Sequence, residues 1–170
     1  MKKIFLENFF NDLLFYNLLK KCFENVQTVL ELGAGKDSYV NFKDRDYKII
    51  AFDLIEHFEK NEGYQLLKDI VRVVGVRVIV FTPNGFVPQS ATDDNPFQEH
   101  KSGWTYQEMK KSGFKVYGVN GFMKLRGMYA VPKIKPREFG NFISNLSQIF
   151  LNITGLKKYS YAILCVKDVK

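Results

Sequence analysis

The run Glu31-Leu32-Gly33-Ala34-Gly35 follows a short apolar stretch and offers backbone that a ligand can approach closely. In an open α/β sheet, ligands bind beyond the carboxyl ends of the strands, and a glycine turn there lets the main chain come near them. Three ligand classes use such a turn. A phosphate-cradling loop needs Gly-x-x-x-x-Gly-Lys-Ser/Thr, whereas here Gly35-Lys36 leads into Asp37 and Leu30 stands where the first Gly belongs. A dinucleotide fingerprint needs a third glycine three residues after the second. Position 38 is Ser, and Asp37 would meet the pyrophosphate with like charge. The class that remains has an amino-acid end and a nucleoside without phosphates. The alternative is a tight structural turn, which also uses two glycines.

The elements that must position this turn follow from periodicity. Thr28–Leu32 reads as a short strand, and Tyr47–Phe52 as a second one closed by Asp53. Residues 59–74 repeat apolar positions with a period near 3.6 (Leu66, Leu67, Ile70, Val71), which predicts a helix. Residues 77–81 form a nearly continuous apolar run, the pattern of a strand buried on both faces. A polar loop from Thr82 to Gly103 is too long to be a mere connection, and such loops tend to carry function. A short helix over 104–112, a strand over 114–119, a helix carrying the stripe Phe139, Phe142, Ile143, Leu146, Ile149, Phe150 and Ile153, and a strand over 160–166 complete the chain. A weaker helix is expected over 36–43. Residues 4–24 lack Gly and Pro and are apolar around more than half of a helix. That N-terminal helix is expected to be buried on two sides or to form a subunit contact in a homodimer. Alternation of strand and helix predicts a parallel α/β sheet.

Composition sets the bounds. The chain has 170 residues, 46% of them apolar and 25% charged, which suits one globular domain with its own core. We read 1–170 as a single domain: helix 1–25, ligand-binding core 26–122 and a basic part 123–170. Cys22 and Cys165 lie far apart without a nearby His, so neither a zinc knuckle nor a disulfide framework is expected, and no metal-ligating set is read from the sequence. No run of 18 uncharged apolar residues exists, so no transmembrane segment is expected. Glu7 and Asp12 interrupt the apolar N-terminal stretch, which argues against a signal peptide and for a cytoplasmic protein. The net charge of +7 is localised: the first 122 residues carry 16 bases and 16 acids, while residues 123–170 carry nine bases against Glu138 and Asp168. A one-sided field suits an anionic partner at the C-terminal third, or else a solvated face that serves solubility.

The glycine turn resembles the first motif of the class I S-adenosylmethionine-dependent methyltransferases. The segments Asp53-Leu54-Ile55-Glu56-His57-Phe58, Asn61-Glu62-Gly63, residues 78–86, residues 95–104 and Gly113-Phe114-Lys115-Val116 are similar, in order, to one small-molecule type within that class. The resemblance implies a Rossmann-like three-layer sandwich, reduced in size, with a mostly parallel sheet of about five strands. It also implies S-adenosylmethionine as cofactor and a small-molecule or glycan-like methyl acceptor. Glu31 would anchor the amino end of the cofactor, and Gly33, Ala34 and Gly35 would shape the turn around it. Asp53 has the place of the acid that takes the ribose hydroxyls if it ends the second family strand. The Asp-x-Ile-Glu-His segment, however, belongs to the fourth family strand, on the other side of the first. In that register the chain lacks the second and third strands, and Asp53 stands by the sulfonium and acceptor instead. The longer local match favours the fourth-strand register.

Methyl transfer is an in-line displacement in which alignment supplies most of the catalysis. Where the acceptor needs a base, His57 is the candidate, because it follows a strand end and titrates near neutrality. Its alternative role is a buried polar histidine. His100, in the long loop near Trp104 and Tyr106, is a candidate for positioning the acceptor, the alternative being a hydrogen bond that holds the loop. Thr82-Pro83-Asn84-Gly85-Phe86 lacks the prolines of the Asn-Pro-Pro-aromatic motif and reads as a tight turn. The stripe at 139–153 is read as core packing rather than as a membrane-surface helix, because its polar face carries no lysine. A second functional class stays open: a catalytically inactive methyltransferase-fold module that binds an anionic partner through its basic C-terminal face.

Overall fold

The computed structural model describes residues 15, 17–23, 28–33, 47–91 and 96–169. Over these residues the chain is α/β, with a five-stranded open sheet and four helices. The helices are α1 (17–23), α2 (Lys60–Val73), α3 (Tyr106–Lys111) and α4 (Arg137–Ile153). The strands are β1 (Thr28–Leu32), β2 (Tyr47–Phe52), β3 (Arg77–Pro83), β4 (Lys115–Phe122) and β5 (Ser160–Asp168). Their order in the sheet is β1-β2-β3-β5-β4. β1 pairs with β2 and β2 with β3, both in parallel, yet the sheet as a whole is mixed. The expectation of a mostly parallel sheet is corrected to that extent. Alternating strand and helix signals a parallel core, but it does not fix the direction of each later strand.

Two compact units divide the chain: Met1–Glu24 with Tyr117–Ile163, and Asn25–Val116 with Leu164–Lys170. The bounds of β1 and β2 coincide with the sequence reading, and α2 differs from it only by its end residues. The expected helix at 36–43 and most of the expected helix at 4–24 lie outside the described residues, although 17–23 is helical. Among the described residues, no helix is long and apolar enough to cross a membrane.

In the second unit, a capping interaction starts α2: the Glu59 backbone N–H donates to the Glu62 carboxylate at 3.2 Å. The helix buries Gly63, Leu67 and Ile70. Gly63 is required there because the Trp104 ring occupies the space a Cβ would need. Trp104 precedes α3 instead of opening it, and Thr105 supplies the N-cap, its hydroxyl accepting from the Glu108 N–H at 3.2 Å. The core of this unit includes Val78, Ile79 and Val80 of β3, none of them exposed, as the apolar run predicts.

In the first unit, α4 overturns the core-packing expectation for its apolar stripe. Phe139, Phe142, Leu146, Ile149, Phe150 and Ile153 are exposed, while Gly140, Asn141, Ser144, Gln148 and Leu151 are buried. The reason lies in β4, whose backbone the polar residues serve. Asn152 donates to the Gly118 carbonyl at 2.8 Å and accepts from the Gly118 N–H at 3.3 Å. The Ser147 hydroxyl accepts from the Phe122 N–H at 2.9 Å. Small and amide side chains let the helix lie near that strand and satisfy its main chain. The Phe150 end of the helix also borders an apolar cleft lined by Phe122, Met123, Leu151, Leu156 and Tyr159.

An inverted sensitivity follows. Phe142→Ser is expected to change stability by less than about 0.5 kcal/mol. Ser144→Leu, at a position with no exposure, is expected to cost about 1–3 kcal/mol through overpacking. Urea midpoints of the two variants check the order.

Candidate functional site

The carboxyl ends of the parallel strands carry the chemistry-bearing residues. Leu32 is level with Ala51 in the β1–β2 register, so Gly33 and Asp53 leave the sheet at the same end. Gly33 has φ +80°, and a Cβ on it would stand 2.9 Å from Leu54 Cδ1, so glycine meets both constraints at once. Asp53 also sits in the left-handed region, at φ 44°, with its N–H bonded to the Phe81 carbonyl at 3.0 Å. Such a conformation is uncommon for a residue other than Gly, and it is best tolerated by Asp and Asn. It turns the chain sharply from β2 into the single 3-10 turn Ile55–His57.

That turn places Glu56 and His57 beside the long loop. Glu56 is only 2% exposed. Its Oε2 accepts from the Thr82 hydroxyl at 3.1 Å, while among the described residues no N–H or alcohol hydroxyl donates to Oε1. Its backbone carbonyl accepts from Lys101 N at 2.8 Å and from Ser102 N at 3.0 Å, which pins the loop to the turn. Trp104 is fully buried and locks the same junction, donating its indole N–H to the Ile55 carbonyl at 3.1 Å and to Ser102 Oγ at 3.0 Å. Lys60 sits over the Trp104 ring, 3.9 Å from its centroid, and pairs with Glu108 at 2.9 Å. Asn84 accepts from the Tyr106 N–H at 2.9 Å, so it helps start α3.

The two histidines are 43 positions apart in sequence, yet their ring centroids are 4.9 Å apart in an edge-to-face arrangement. His57 Nδ1 meets the Glu99 carbonyl at 2.9 Å, and His100 Nδ1 meets the Val87 carbonyl at 2.7 Å. A carbonyl only accepts, so each Nδ1 carries a proton. Burial holds the His100 pKa below the ordinary histidine value, which keeps its ring neutral at pH 7.

The carboxyls of Asp53 and Glu56 interact with one another, and the pKa of each is pushed up, chiefly by burial. For Glu56 the neighbouring Asp53 charge adds to that rise. Hydrogen bonding with Glu56 and the charge of His57 hold Asp53 back in part. Among the described residues, no Lys or Arg ion-pairs with either carboxyl. Two acids and two imidazoles therefore share one polar cluster. One donor atom each from Glu56, His57 and His100 lies within 4.8 Å of the others, a set able to hold a metal ion.

The structure thus brings Asp53, His57 and His100 together and leaves Glu31 and Gly33 at the end of the neighbouring strand. Ala34 and Gly35 lie outside the described residues. Sequence reasoning missed Glu56 and Thr82. The usable signal was an Asp, Glu and His at i, i+3 and i+4 straight after a strand, a spacing that one helical turn gathers. Comparison of the chain with protein-family models, curated proteins and solved structures gives no match.

Proposed function

We propose that the chain is an S-adenosylmethionine-dependent methyltransferase of reduced Rossmann-like architecture, acting on a small-molecule or glycan-like acceptor. The observation that carries this reading is the pairing of a left-handed glycine closing β1 with a polar cluster closing β2, both at the carboxyl end of parallel strands. At this point Gly33 turns the chain with φ +80° and packs its bare Cα against Leu54, a backbone conformation that keeps the end of β1 free of a side chain of its own. Among the described residues β1 is the edge strand of the sheet, in keeping with the shortened, fourth-strand register. When bound, the cofactor supplies an electrophilic methyl group on a sulfonium. Gly33 allows close approach of the main chain, Glu31 supplies a carboxylate for an amino group, and Asp53 bounds the acceptor side. His57 is the candidate base where the acceptor needs one, and His100 is the candidate for positioning the acceptor. Two buried thiols, Cys22 and Cys165, suit a reducing cytoplasm.

The pocket is tested with Gly33→Val. The variant is expected to bind S-adenosylmethionine at least tenfold more weakly while a circular-dichroism melt still shows a cooperative transition. Unchanged affinity in a folded variant would remove Gly33 from the site.

A second reading is favoured by one observation. The exposed apolar face of α4 belongs to the same third of the chain as Lys124, Lys133, Lys135, Arg137, Lys157 and Lys158. A noncatalytic module that engages an anionic partner would use those groups, and its binding would fall steeply with salt. Retention on heparin that disappears well below about 0.5 M salt, by a protein that binds no cofactor, would favour it.

A further inference from the structure

We infer that Glu56, His57 and His100 form a binding site for a first-row divalent metal ion, beside the Asp53 carboxyl that interacts with Glu56. Four observations converge. The donors are gathered within 4.8 Å although they come from the turn after β2 and from a distant loop. Both imidazoles are fixed by backbone carbonyls at Nδ1, the arrangement by which metal-ligating histidines are oriented while Nε2 coordinates. Glu56 is buried, and among the described residues its Oε1 has neither a donor other than the neighbouring Asp53 carboxyl nor a cation to offset burial. Two neighbouring acids have no Lys or Arg ion-paired with them among the described residues. A dication would neutralise both.

The donor set selects the ion. Imidazole with carboxylate suits Zn, Fe, Co or Mn, whereas Mg and Ca prefer all-oxygen sites. Ligand bonds of about 2.0–2.2 Å hold adjacent donors roughly 3 Å apart, so the cluster closes with side-chain movements on the order of 1 Å. The Thr82 hydroxyl, bonded to Glu56 Oε2 at 3.1 Å, then orients the carboxylate ligand from behind. Two histidines and one or two carboxylates leave coordination positions open. Under the methyltransferase reading, those positions take an oxygen of the acceptor and make it more acidic, which narrows the acceptor to hydroxyl-bearing molecules. The metal site itself does not rest on that reading.

The test uses the full chain, stripped with chelator and dialysed, without S-adenosylmethionine, so that failure here and failure of the methyltransferase reading are separate results. Titration with Co2+ is followed by its visible absorption, and with Zn2+ by calorimetry. One equivalent is expected to bind with a Kd on the order of 10 μM or tighter, with Co2+ bands indicating nitrogen ligation. His100→Gln, which retains a polar side chain of similar reach, and His57→Ala are each expected to weaken binding at least tenfold. A thermal melt confirms that each variant is folded. The proposal is overturned if the folded wild-type chain takes up less than half an equivalent at about 100 μM metal, a concentration about ten times the expected Kd. It is equally overturned if both folded variants bind as the wild type does.

Discussion

Trp104→Ala is expected to lower the melting temperature by roughly 10 °C, the largest single-residue effect in the second unit. The side chain is fully buried, and its ring fills the space that Gly63 leaves open on α2. Removing a ring of this kind costs about 3–5 kcal/mol in lost burial and cavity formation. The indole N–H is also the donor that ties the Ile55 carbonyl to the 102–104 segment, so the turn bearing Glu56 and His57 loses a brace. Lys60 loses the ring beneath it, and Tyr64 loses an edge-to-face partner 4.8 Å away. Trp104→Phe keeps most of the volume but not the donor. It is expected to recover more than half of the lost stability, and equal melting temperatures for the two variants would show that the indole bond, not the packing, dominates.

Glu56→Gln is expected to stabilise the metal-free chain, and the gain should appear only as the pH rises. In the folded protein, burial and the Asp53 charge lift the Glu56 pKa to about 8 from an unfolded value near 4.5. A carboxyl whose folded pKa is raised contributes fully below its unfolded pKa and loses that contribution as pH climbs through the folded one. The wild type therefore weakens relative to the glutamine variant between about pH 4.5 and pH 8. The difference accumulates across that range and is expected as a melting-temperature gap of several degrees at about pH 8, with little difference at about pH 4. Saturating divalent metal should narrow or reverse the gap, because the ion binds the carboxylate and stabilises the wild type more than the variant by mass action. Paired melts near both ends of that pH range, with chelator and with Zn2+, check each step. A glutamine variant that is less stable than wild type at the alkaline end in chelator would show that the buried carboxylate is already compensated.

These effects separate what the sequence made legible from what it did not. The β1 and β2 bounds were readable because a short β-branched and apolar run ends at glycine in one case and at aspartate in the other. The strand alternation identified the carboxyl end of the parallel strands, and with it the placing of Gly33, Asp53 and His57. The pairing of His57 with His100 was not readable, since loop closure over 43 positions depends on tertiary contacts such as the Glu56 carbonyl with Lys101 and Ser102. Nor was the burial of Glu56, because a charged residue type argues for exposure unless its neighbours are known. The α4 helix shows the same limit from the opposite side. Its periodicity located the apolar stripe correctly, but periodicity carries no information about which face meets β4. Asn152 and Ser147 decide that, by satisfying strand backbone that an apolar face would leave without donors and acceptors.

The central claim is that the end of the sheet bearing Gly33 and Asp53 receives S-adenosylmethionine. Calorimetric titration of the folded chain with S-adenosylmethionine and with S-adenosylhomocysteine tests it directly. The account predicts one site per chain that binds both compounds with dissociation constants of about 1–100 μM. Absence of heat and of any melting-temperature shift at millimolar concentrations of either ligand, in a chain that melts cooperatively, would contradict it.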